Sequence, residues 1–112
     1  MTIFERIAAR EIPAEIIFEA EDFLAFRDVH PQAPVHVLIV PKRCIPRLAE
    51  AGTDDTALLG RMLAAAPAIA AKLGVDESGF RLVINNGRDA GESVPHLHLH
   101  LLGGRAMQWP PG

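Results

Sequence analysis

Hydrophobic and polar residues follow two different periods along the chain, and the period predicts which segments are helices and which are strands. Near the start, Ile3, Phe4 and Ile7 have helical spacing and predict a short amphipathic helix over residues 3–10, before Pro13 ends the segment. Its apolar edge needs a surface to pack against. We therefore expect this helix to lie on the rest of the fold.

A longer helix is predicted over residues 53–73, where apolar side chains recur at intervals of three, four and seven. Thr53 or Asp54 is expected as its N-cap, and Gly74 lies just past its end. Pro67 falls inside this helix, where it has no N–H to donate and its ring clashes with the preceding turn. We therefore expect a bend at Pro67.

Five segments have the composition of β-strands, with short runs of β-branched, aromatic or leucine side chains. The first two are separated by three polar or small residues and predict a hairpin. The third, VHVLIV, is apolar almost throughout and is typical of a central strand that is covered on both faces. The predicted strands are residues 15–19, 23–28, 35–40, 80–85 and 96–102.

The order of these elements predicts the fold class. Three strands precede the long helix and two follow it, which favours an α+β fold with a five-stranded antiparallel sheet, one long helix and one short helix. No linker or internal repeat divides the sequence, so we expect a single domain over residues 1–112.

Composition and charge narrow the class of protein. Hydrophobic residues make up 49% and charged residues 22%, which predicts a compact fold rather than disorder. The net charge of −3 offers no basic face, so we expect no nucleic-acid partner. No apolar run approaches the roughly 20 residues that cross a bilayer, so we expect no membrane partner. A chain this short leaves about a third of its unfolded surface in water, which makes a homodimer a natural expectation.

The single cysteine, Cys44, cannot form an internal disulfide, and the first residues lack the pattern of a secretory signal. A reducing compartment fits this cysteine usage. We therefore expect a cytoplasmic protein.

The candidate chemistry is concentrated in the last predicted strand. Side chains alternate between the faces of a strand, so His96, His98 and His100 project from one side. Such a row has three explanations: a solvated face, part of a metal site, or nucleophilic and acid–base catalysis at phosphorus, which suits imidazole because its pKa lies near neutral pH. The outer two rings lie about 13 Å apart on a strand. A metal would therefore need a further ligand, for which His36 is the best candidate.

The loop before this strand favours catalysis at phosphorus. Residues 85–93 contain two glycines, several backbone N–H groups and the Ser93 hydroxyl, which together can surround an anionic oxygen. A plain connection with Asn86 and Gly87 as turn residues explains the same loop.

The run HLHLHLL, residues 96–102, resembles the His-φ-His-φ-His-φ-φ motif of the histidine triad superfamily, in which φ is apolar. The similarity covers essentially the whole chain and is greatest to the Hint branch, the histidine triad nucleotide-binding proteins. Outside the motif it is carried by residues 3–4, 11–14, 31–34, 103–112 and Ser93.

This resemblance implies an α+β homodimer whose two sheets join across the interface. It also implies purine nucleoside phosphoramidase or nucleotide hydrolase activity at the α-phosphorus, through a nucleotidyl-histidine intermediate and without a cofactor or metal. The implied partners are purine nucleoside monophosphates or their phosphoramidate conjugates. In this branch the C-terminal segment, here around Trp109, reaches towards the site of the partner subunit.

The resemblance implies a role for each catalytic residue. His98 would be the nucleophile, and the main-chain carbonyl of His96 would hold its other ring nitrogen. His100 would contact the phosphate and help the leaving group, while His36 would take part in a proton relay. Ser93 would hydrogen-bond near the scissile bond.

The same resemblance implies a set of nucleotide-binding residues. Asp28 matches the carboxylate that holds the ribose hydroxyls, Asn85 matches a phosphate-contacting position, and apolar residues match the slot for the base. Ordinary core packing explains the apolar members equally well. The implied set is Ile3, Phe4, Ile7, Phe26, Asp28, Val29, Asn85, Gly91, Ser93, Val94, His98 and His100.

Four residues depart from the pattern of this branch. Glu92 stands where a neutral amide is common, and its carboxylate would oppose highly anionic substrates if it pointed inward. Pro67 interrupts a helix that usually continues, and Arg27 and Cys44 stand where histidines are frequent. These departures concern substrate preference rather than the triad. The third triad histidine, His100, favours hydrolysis, because the nucleotide transferase branch has glutamine there.

Two other functions fit the same sequence. One is a nucleotide-binding adaptor with incidental catalysis, and the other is a metal protein that uses His36 and part of the triad as ligands.

Overall fold

The computed structural model describes all 112 residues and contains two α-helices and five strands. Helix α1 covers Ile3–Ala8 and helix α2 covers Thr56–Lys72. Neither helix combines the length and the apolar run that a bilayer crossing requires. The strands are β1 Ile16–Glu19, β2 Phe23–Arg27, β3 Val35–Pro41, β4 Phe80–Val83 and β5 Leu99–Gly103.

The five strands form one sheet in the order β1-β2-β3-β5-β4, and every neighbouring pair is antiparallel. This confirms the predicted α+β fold with a five-stranded antiparallel sheet. β3 occupies the centre, as its apolar run predicts, and it is buried from His36 to Pro41. β1 and β4 form the two edges.

The two helices cover opposite faces of the sheet. In β3, Val37 and Ile39 belong to the larger core cluster, to which α2 contributes Met62 and its neighbours. Leu38 and Val40 point the other way and belong to a smaller cluster together with α1. The period of two in the strand therefore divides its side chains between an α2 face and an α1 face.

The same alternation places the histidines on the α1 face. Leu99 and Leu101 are 2% and 0% exposed and belong to the larger, α2-side cluster. His100 lies between them in β5, so it projects to the opposite side, where His98 also lies against the α1 residue Phe4. The row of histidines therefore shares one side, as the sequence predicts.

The paired strand β5 begins at Leu99, three residues later than the predicted start at His96. The N–H of His96 donates to the Val94 carbonyl at 2.8 Å and so closes a tight turn, while the N–H of Leu97 donates to the Ile45 carbonyl at 2.7 Å. Residues 96–98 therefore pack beside the loop after β3 and join no strand ladder. β4 likewise ends at Val83, two residues before the predicted end at residue 85.

Helix α2 begins at Thr56, after one 3-10 turn over Thr53–Asp55, so its N-cap is Asp55 and not Thr53 or Asp54. The Asp55 carboxylate accepts the N–H of Gly52 at 2.8 Å, which satisfies a donor at the start of this 3-10 turn. The helix continues through Pro67, which is exposed, to Lys72.

Candidate active site

A cavity of about 290 Å³ opens on the α1 face in front of the histidine segment. Its walls come from α1, the turn after α1, the end of β2 with the loop that follows, and the segment before β5. This lining combines apolar side chains with a few polar groups, as small-molecule sites do. The cavity is lined by Ile3, Phe4, Ile7, Ile12, Pro13, Ala14, Phe26, Arg27, Asp28, Val29, His30, Leu38, Ser93, Val94, His98 and His100.

Ten of the twelve predicted nucleotide-binding residues line this cavity, and Asn85 and Gly91 do not. Asn85 is half-buried after the end of β4, and Gly91 is an exposed turn residue with φ of 81°. Sequence reasoning missed six lining residues. The period of two that places His36 on this face also indicates Leu38, whereas no pattern points to the others, which are Ile12, Pro13, Ala14, Arg27 and His30.

His98 has one ring nitrogen that is held and one that is free. Its Nδ1 lies 2.7 Å from the main-chain carbonyl oxygen of His96. A carbonyl only accepts, so Nδ1 carries the proton and Nε2 carries the lone pair. The residue is 6% exposed and stands edge-on to the rings of Phe4 and His100, with centroid distances of 5.1 and 4.9 Å. His98 therefore presents an oriented Nε2 beside the cavity.

His36 and His100 form a second, connected pair. The backbone N–H of Gln32 donates to His36 Nδ1 at 3.0 Å, so this nitrogen is unprotonated and the ring proton lies on Nε2. His36 Nε2 lies 2.9 Å from His100 Nδ1, which must accept that proton's hydrogen bond. The proton of His100 is then on Nε2. One backbone N–H thus sets the tautomers of both rings.

Asp28 joins this pair to the cavity. Its Oδ2 lies 3.4 Å from His36 Nε2, and its Oδ1 accepts the N–H of His30 at 2.9 Å. An ionised carboxylate has about four acceptor positions. Asp28 therefore keeps the capacity to accept donors from a ligand in the cavity.

Burial favours the neutral form of both His36 and His100. The pKa of His36 is lowered, chiefly by burial, and Asp28 opposes this only in part. The pKa of His100 falls to about 4, first because of burial and then because of the neighbouring His98 and His36. At neutral pH the His36–Asp28 contact is therefore a contact between a neutral ring and a carboxylate, not an ion pair.

His96 lies behind the site and uses both ring nitrogens inside the protein. It is fully buried, its Nε2–H donates to the Pro41 carbonyl at 2.7 Å, and its Nδ1 accepts the Thr2 hydroxyl at 2.7 Å. Burial lowers the pKa of this imidazole. His96 therefore holds His98 through its main-chain carbonyl, while its own ring nitrogens bond to Pro41 and Thr2.

The loop before β5 contributes Ser93 and Val94 to the cavity but not Glu92. The Glu92 carboxylate accepts Arg47 Nε at 3.0 Å and the N–H of Gly87 at 3.0 Å. These bonds, the Arg47 contact foremost, lower the pKa of Glu92. The Glu92 carboxylate is therefore paired with Arg47 and does not point into the cavity.

Two groups of side chains bring potential metal-ligating atoms within 4.8 Å of one another: Asp28, His36 and His100, and Glu5, Cys44 and His96. In the first group, the imidazole nitrogens share a hydrogen bond that a cation would have to replace. In the second, both nitrogens of His96 already have partners, and burial raises the pKa of the Cys44 thiol, which favours its protonated form. In both groups, hydrogen bonds within the protein already occupy imidazole nitrogens that a metal would need.

A comparison with known protein families gives one match over most of the chain. The model of the HIT domain matches residues 9–107. An uncharacterised HIT-like protein of Synechocystis is 57% identical over 111 residues, which are 99% of this chain and 96% of that protein.

Solved structures agree with this match. The HIT family hydrolase from Legionella pneumophila Philadelphia 1 superposes with a TM-score of 0.96 at 48% identity, over 100% of both chains. The histidine triad nucleotide-binding protein from Candida albicans superposes with a TM-score of 0.83 at 31% identity, over 98% of this chain and 83% of that one. The similarity therefore includes both helices, the sheet and the histidine segment.

Proposed function

Because this chain belongs to the HIT domain family, we propose that it is a hydrolase that cleaves purine nucleoside phosphoramidates and related purine nucleoside monophosphate conjugates at the α-phosphorus. One observation carries this proposal. His98 Nδ1 donates to the His96 carbonyl at 2.7 Å, which leaves Nε2 as the nitrogen that carries the lone pair of the neutral ring, beside a largely apolar cavity. A neutral imidazole in this state is a nucleophile at neutral pH.

In the first half-reaction, His98 Nε2 forms a bond to the α-phosphorus while the P–N bond of the substrate breaks. The departing nitrogen takes up one proton from solvent and leaves as an amine. The ring of His98 then carries a positive charge, and the His96 carbonyl stabilises it through the Nδ1–H. His100, with a pKa of about 4, is neutral and donates its Nε2–H to the reacting group as a hydrogen bond, not as a free proton.

In the second half-reaction, water attacks the same phosphorus and the bond to His98 Nε2 breaks. The hydroxyl group of the water stays on the phosphorus and the other proton of the water passes to solvent, which balances the proton taken up earlier, and His98 returns to its neutral state. Donors held in fixed positions stabilise the charge that develops on the phosphoryl oxygens in both steps. Ser93, on the cavity wall, is placed to supply one of them.

Substrate binding is assigned to the rest of the cavity. Asp28 accepts the ribose hydroxyls, for which its free lone pairs are suited. The base lies among apolar side chains of α1 and the end of β2, in particular Ile3, Phe4 and Phe26. Burial of these surfaces contributes affinity without requiring a charged contact to the base.

We also propose that two copies form a homodimer through the β4 side. β4 is a sheet edge, where strand N–H and C=O groups lack partners from the sheet. Nearby in sequence Ile84 is 37% exposed, and Leu63 on α2 is 48% exposed. Trp109, 82% exposed, would reach towards the site of the other copy. Light scattering should give the mass of two 12.1 kDa chains, and a monomer mass at all concentrations would contradict this proposal.

The test of the enzymatic proposal is rapid quench followed by mass spectrometry, with an adenosine phosphoramidate as substrate. We expect an adenylate adduct on the wild-type protein, located at His98. His98→Asn should lose the adduct and lower turnover by more than about a thousandfold. Calorimetry should show that the variant still binds adenosine monophosphate.

A different result would identify a different function. If the wild-type protein binds purine monophosphates but turns over every phosphoramidate at background, it is a nucleotide-binding adaptor. If His98→Asn retains wild-type turnover, covalent catalysis by His98 is wrong.

A further inference from the structure

The carbonyl that holds the nucleophile belongs to a peptide outside the sheet. The His96–Leu97 peptide precedes β5, so no strand ladder fixes its plane. Its N–H side is held by the bond from Leu97 N–H to the Ile45 carbonyl at 2.7 Å. Its carbonyl side faces His98 Nδ1 at 2.7 Å. The side chain of His96 supplies the remaining support for this peptide.

That side chain is clamped from two directions. The Nε2–H of His96 donates to the carbonyl of Pro41 at the end of β3, and Nδ1 accepts the hydroxyl of Thr2 at 2.7 Å. His96 is 0% exposed, so neither nitrogen can exchange its partner for water. A buried acceptor without a donor is destabilising, and the ring is therefore expected to shift when the Thr2 hydroxyl is absent.

Thr2 is also the N-cap of α1. Its hydroxyl oxygen accepts the N–H of Glu5 at 3.1 Å, and its own N–H donates to the Glu5 carboxylate at 2.9 Å. The first turn of α1 carries Phe4, whose ring contacts both His96 and His98, at centroid distances of 5.5 and 5.1 Å. The Thr2 hydroxyl therefore contacts both α1, which forms a wall of the cavity, and His96, which holds the nucleophile His98.

We propose that Thr2 is a positioning residue for the reaction: its hydroxyl holds the imidazole of His96, and through the His96 carbonyl it keeps His98 with the proton on Nδ1 and the lone pair on Nε2. Thr2 itself does not touch the substrate. The inference deepens the proposed function and rests on it, because His98 is taken as the nucleophile.

The test compares three variants. Thr2→Val has the shape of threonine without the hydroxyl, and we expect it to lower kcat about tenfold, which corresponds to the loss of one hydrogen bond. Thr2→Ser retains the hydroxyl and should restore kcat to within about twofold of wild type. Glu5→Ala removes the other half of the capping box but leaves the Thr2–His96 bond intact. It therefore reports what a weakened α1 does by itself.

A spectroscopic measurement separates positioning from stability. Long-range proton–nitrogen NMR spectra of the imidazoles should show His98 as the Nδ1–H tautomer in the wild type, Thr2→Ser and Glu5→Ala, and as a mixture of tautomers in Thr2→Val. If Glu5→Ala lowers kcat as much as Thr2→Val, or if Thr2→Val keeps the pure Nδ1–H tautomer, the inference is wrong. The NMR arm needs no turnover, so a failure of the proposed reaction leaves this test valid.

Discussion

At the scale of single residues, the direction of one hydrogen bond determines the tautomers of His36 and His100. The N–H of Gln32 can only donate, so His36 must accept at Nδ1 and donate at Nε2. His100 accepts that bond at Nδ1, and its own proton is turned to Nε2. Because the pKa values of both rings are lowered, this arrangement persists at neutral pH. The pair therefore presents an oriented hydrogen-bond donor, His100 Nε2–H, rather than a positive charge.

The first prediction concerns His36. His36→Ala removes the donor to His100 Nδ1, so His100 is free to place its proton on either nitrogen. We expect kcat on an adenosine phosphoramidate to fall about 10- to 100-fold, in the lower range for loss of an acid–base group. His36→Gln can place an amide N–H near the former Nε2 and should recover part of the loss. Equal activity of the alanine variant and the wild type would remove His36 from the mechanism.

The second prediction concerns Glu92, whose carboxylate is half-enclosed between Arg47 and the N–H of Gly87. Glu92→Gln removes the charge of this contact, and we expect the unfolding free energy to fall, because Arg47 loses its charged partner. Turnover should change little, because Glu92 does not line the cavity. Urea denaturation and steady-state kinetics measure the two effects.

Glu50→Gln is the matched control for Glu92. Glu50 also bonds to Arg47, but its side chain is 50% exposed, compared with 14% for Glu92. Its removal should cost less than that of Glu92, because water screens an exposed pair. The explanation fails if the two variants lose equal stability, or if Glu92→Gln alone changes kcat severalfold.

At the scale of elements, α2 contains a proline, Pro67, that is unfavourable inside a helix. Pro67 lies in an otherwise regular helix and cannot donate to the carbonyl one turn earlier. Its side chain is exposed, and α2 packs on the sheet face opposite to the cavity. Pro67→Ala should therefore raise the unfolding free energy by about 1–3 kcal/mol, as the helix propensities of the two residues indicate.

The readout for Pro67→Ala is the urea midpoint, together with turnover, which should not change. Ala68→Gly, at the next position along the same exposed stretch of helix, is the control and should lower stability by about 1 kcal/mol. A Pro67→Ala variant that is less stable than the wild type would mean that the chain relies on a bend at this position.

The elements themselves were largely predictable from the sequence, because their periods reflect packing on two faces. Residues 96–102 illustrate both success and failure. Leu97, Leu99 and Leu101 enter the larger core cluster as the alternation predicts. The segment before Leu99 nevertheless joins no strand, because its N–H groups bond to Val94 and Ile45 in loops whose position no local pattern encodes.

The site was predictable through its side chains but not through its backbone contacts. The resemblance of the histidine run named His98 and the His96 carbonyl, and the structure contains that hydrogen bond. The donors that orient the other rings are Gln32 N–H and the hydroxyl of Thr2, which lies 94 residues from His96. Such contacts arise only when the chain is folded, so the residue pattern carries no signal for them.

At the scale of the whole molecule, the larger hydrophobic core and the candidate site lie on opposite faces of the sheet. The larger cluster of 15 buried residues lies on the α2 side, and only six buried residues form the cluster on the α1 side. The incomplete packing there leaves the cavity and places three histidines with lowered pKa values in the interior: His36, His96 and His100. Because these three rings resist protonation in the folded protein, the free energy of unfolding should depend on pH.

The dependence of stability on pH follows from these three histidines. In the unfolded chain each titrates near 6.5, whereas in the folded protein burial lowers the pKa, to about 4 for His100. Between these values the unfolded state binds more protons than the folded state, so acidification favours unfolding. We expect the unfolding free energy to be constant above about pH 7 and to fall steadily from about pH 6.5 towards pH 4.

Two carboxylates also lose their stabilising effect on acidification, but only at lower pH. The pKa values of Glu19 and Glu92 are lowered from 4.5, so their stabilising contributions disappear below that value and do not affect the fall between pH 6.5 and 5. Urea denaturation followed across this range measures the slope. His100→Asn removes one titrating ring and should make the slope shallower, since an amide binds no proton. A wild-type stability that stays flat from about pH 7 to pH 5 would show that these rings take up protons as readily in the folded protein as in the unfolded chain, so that burial does not lower their pKa values.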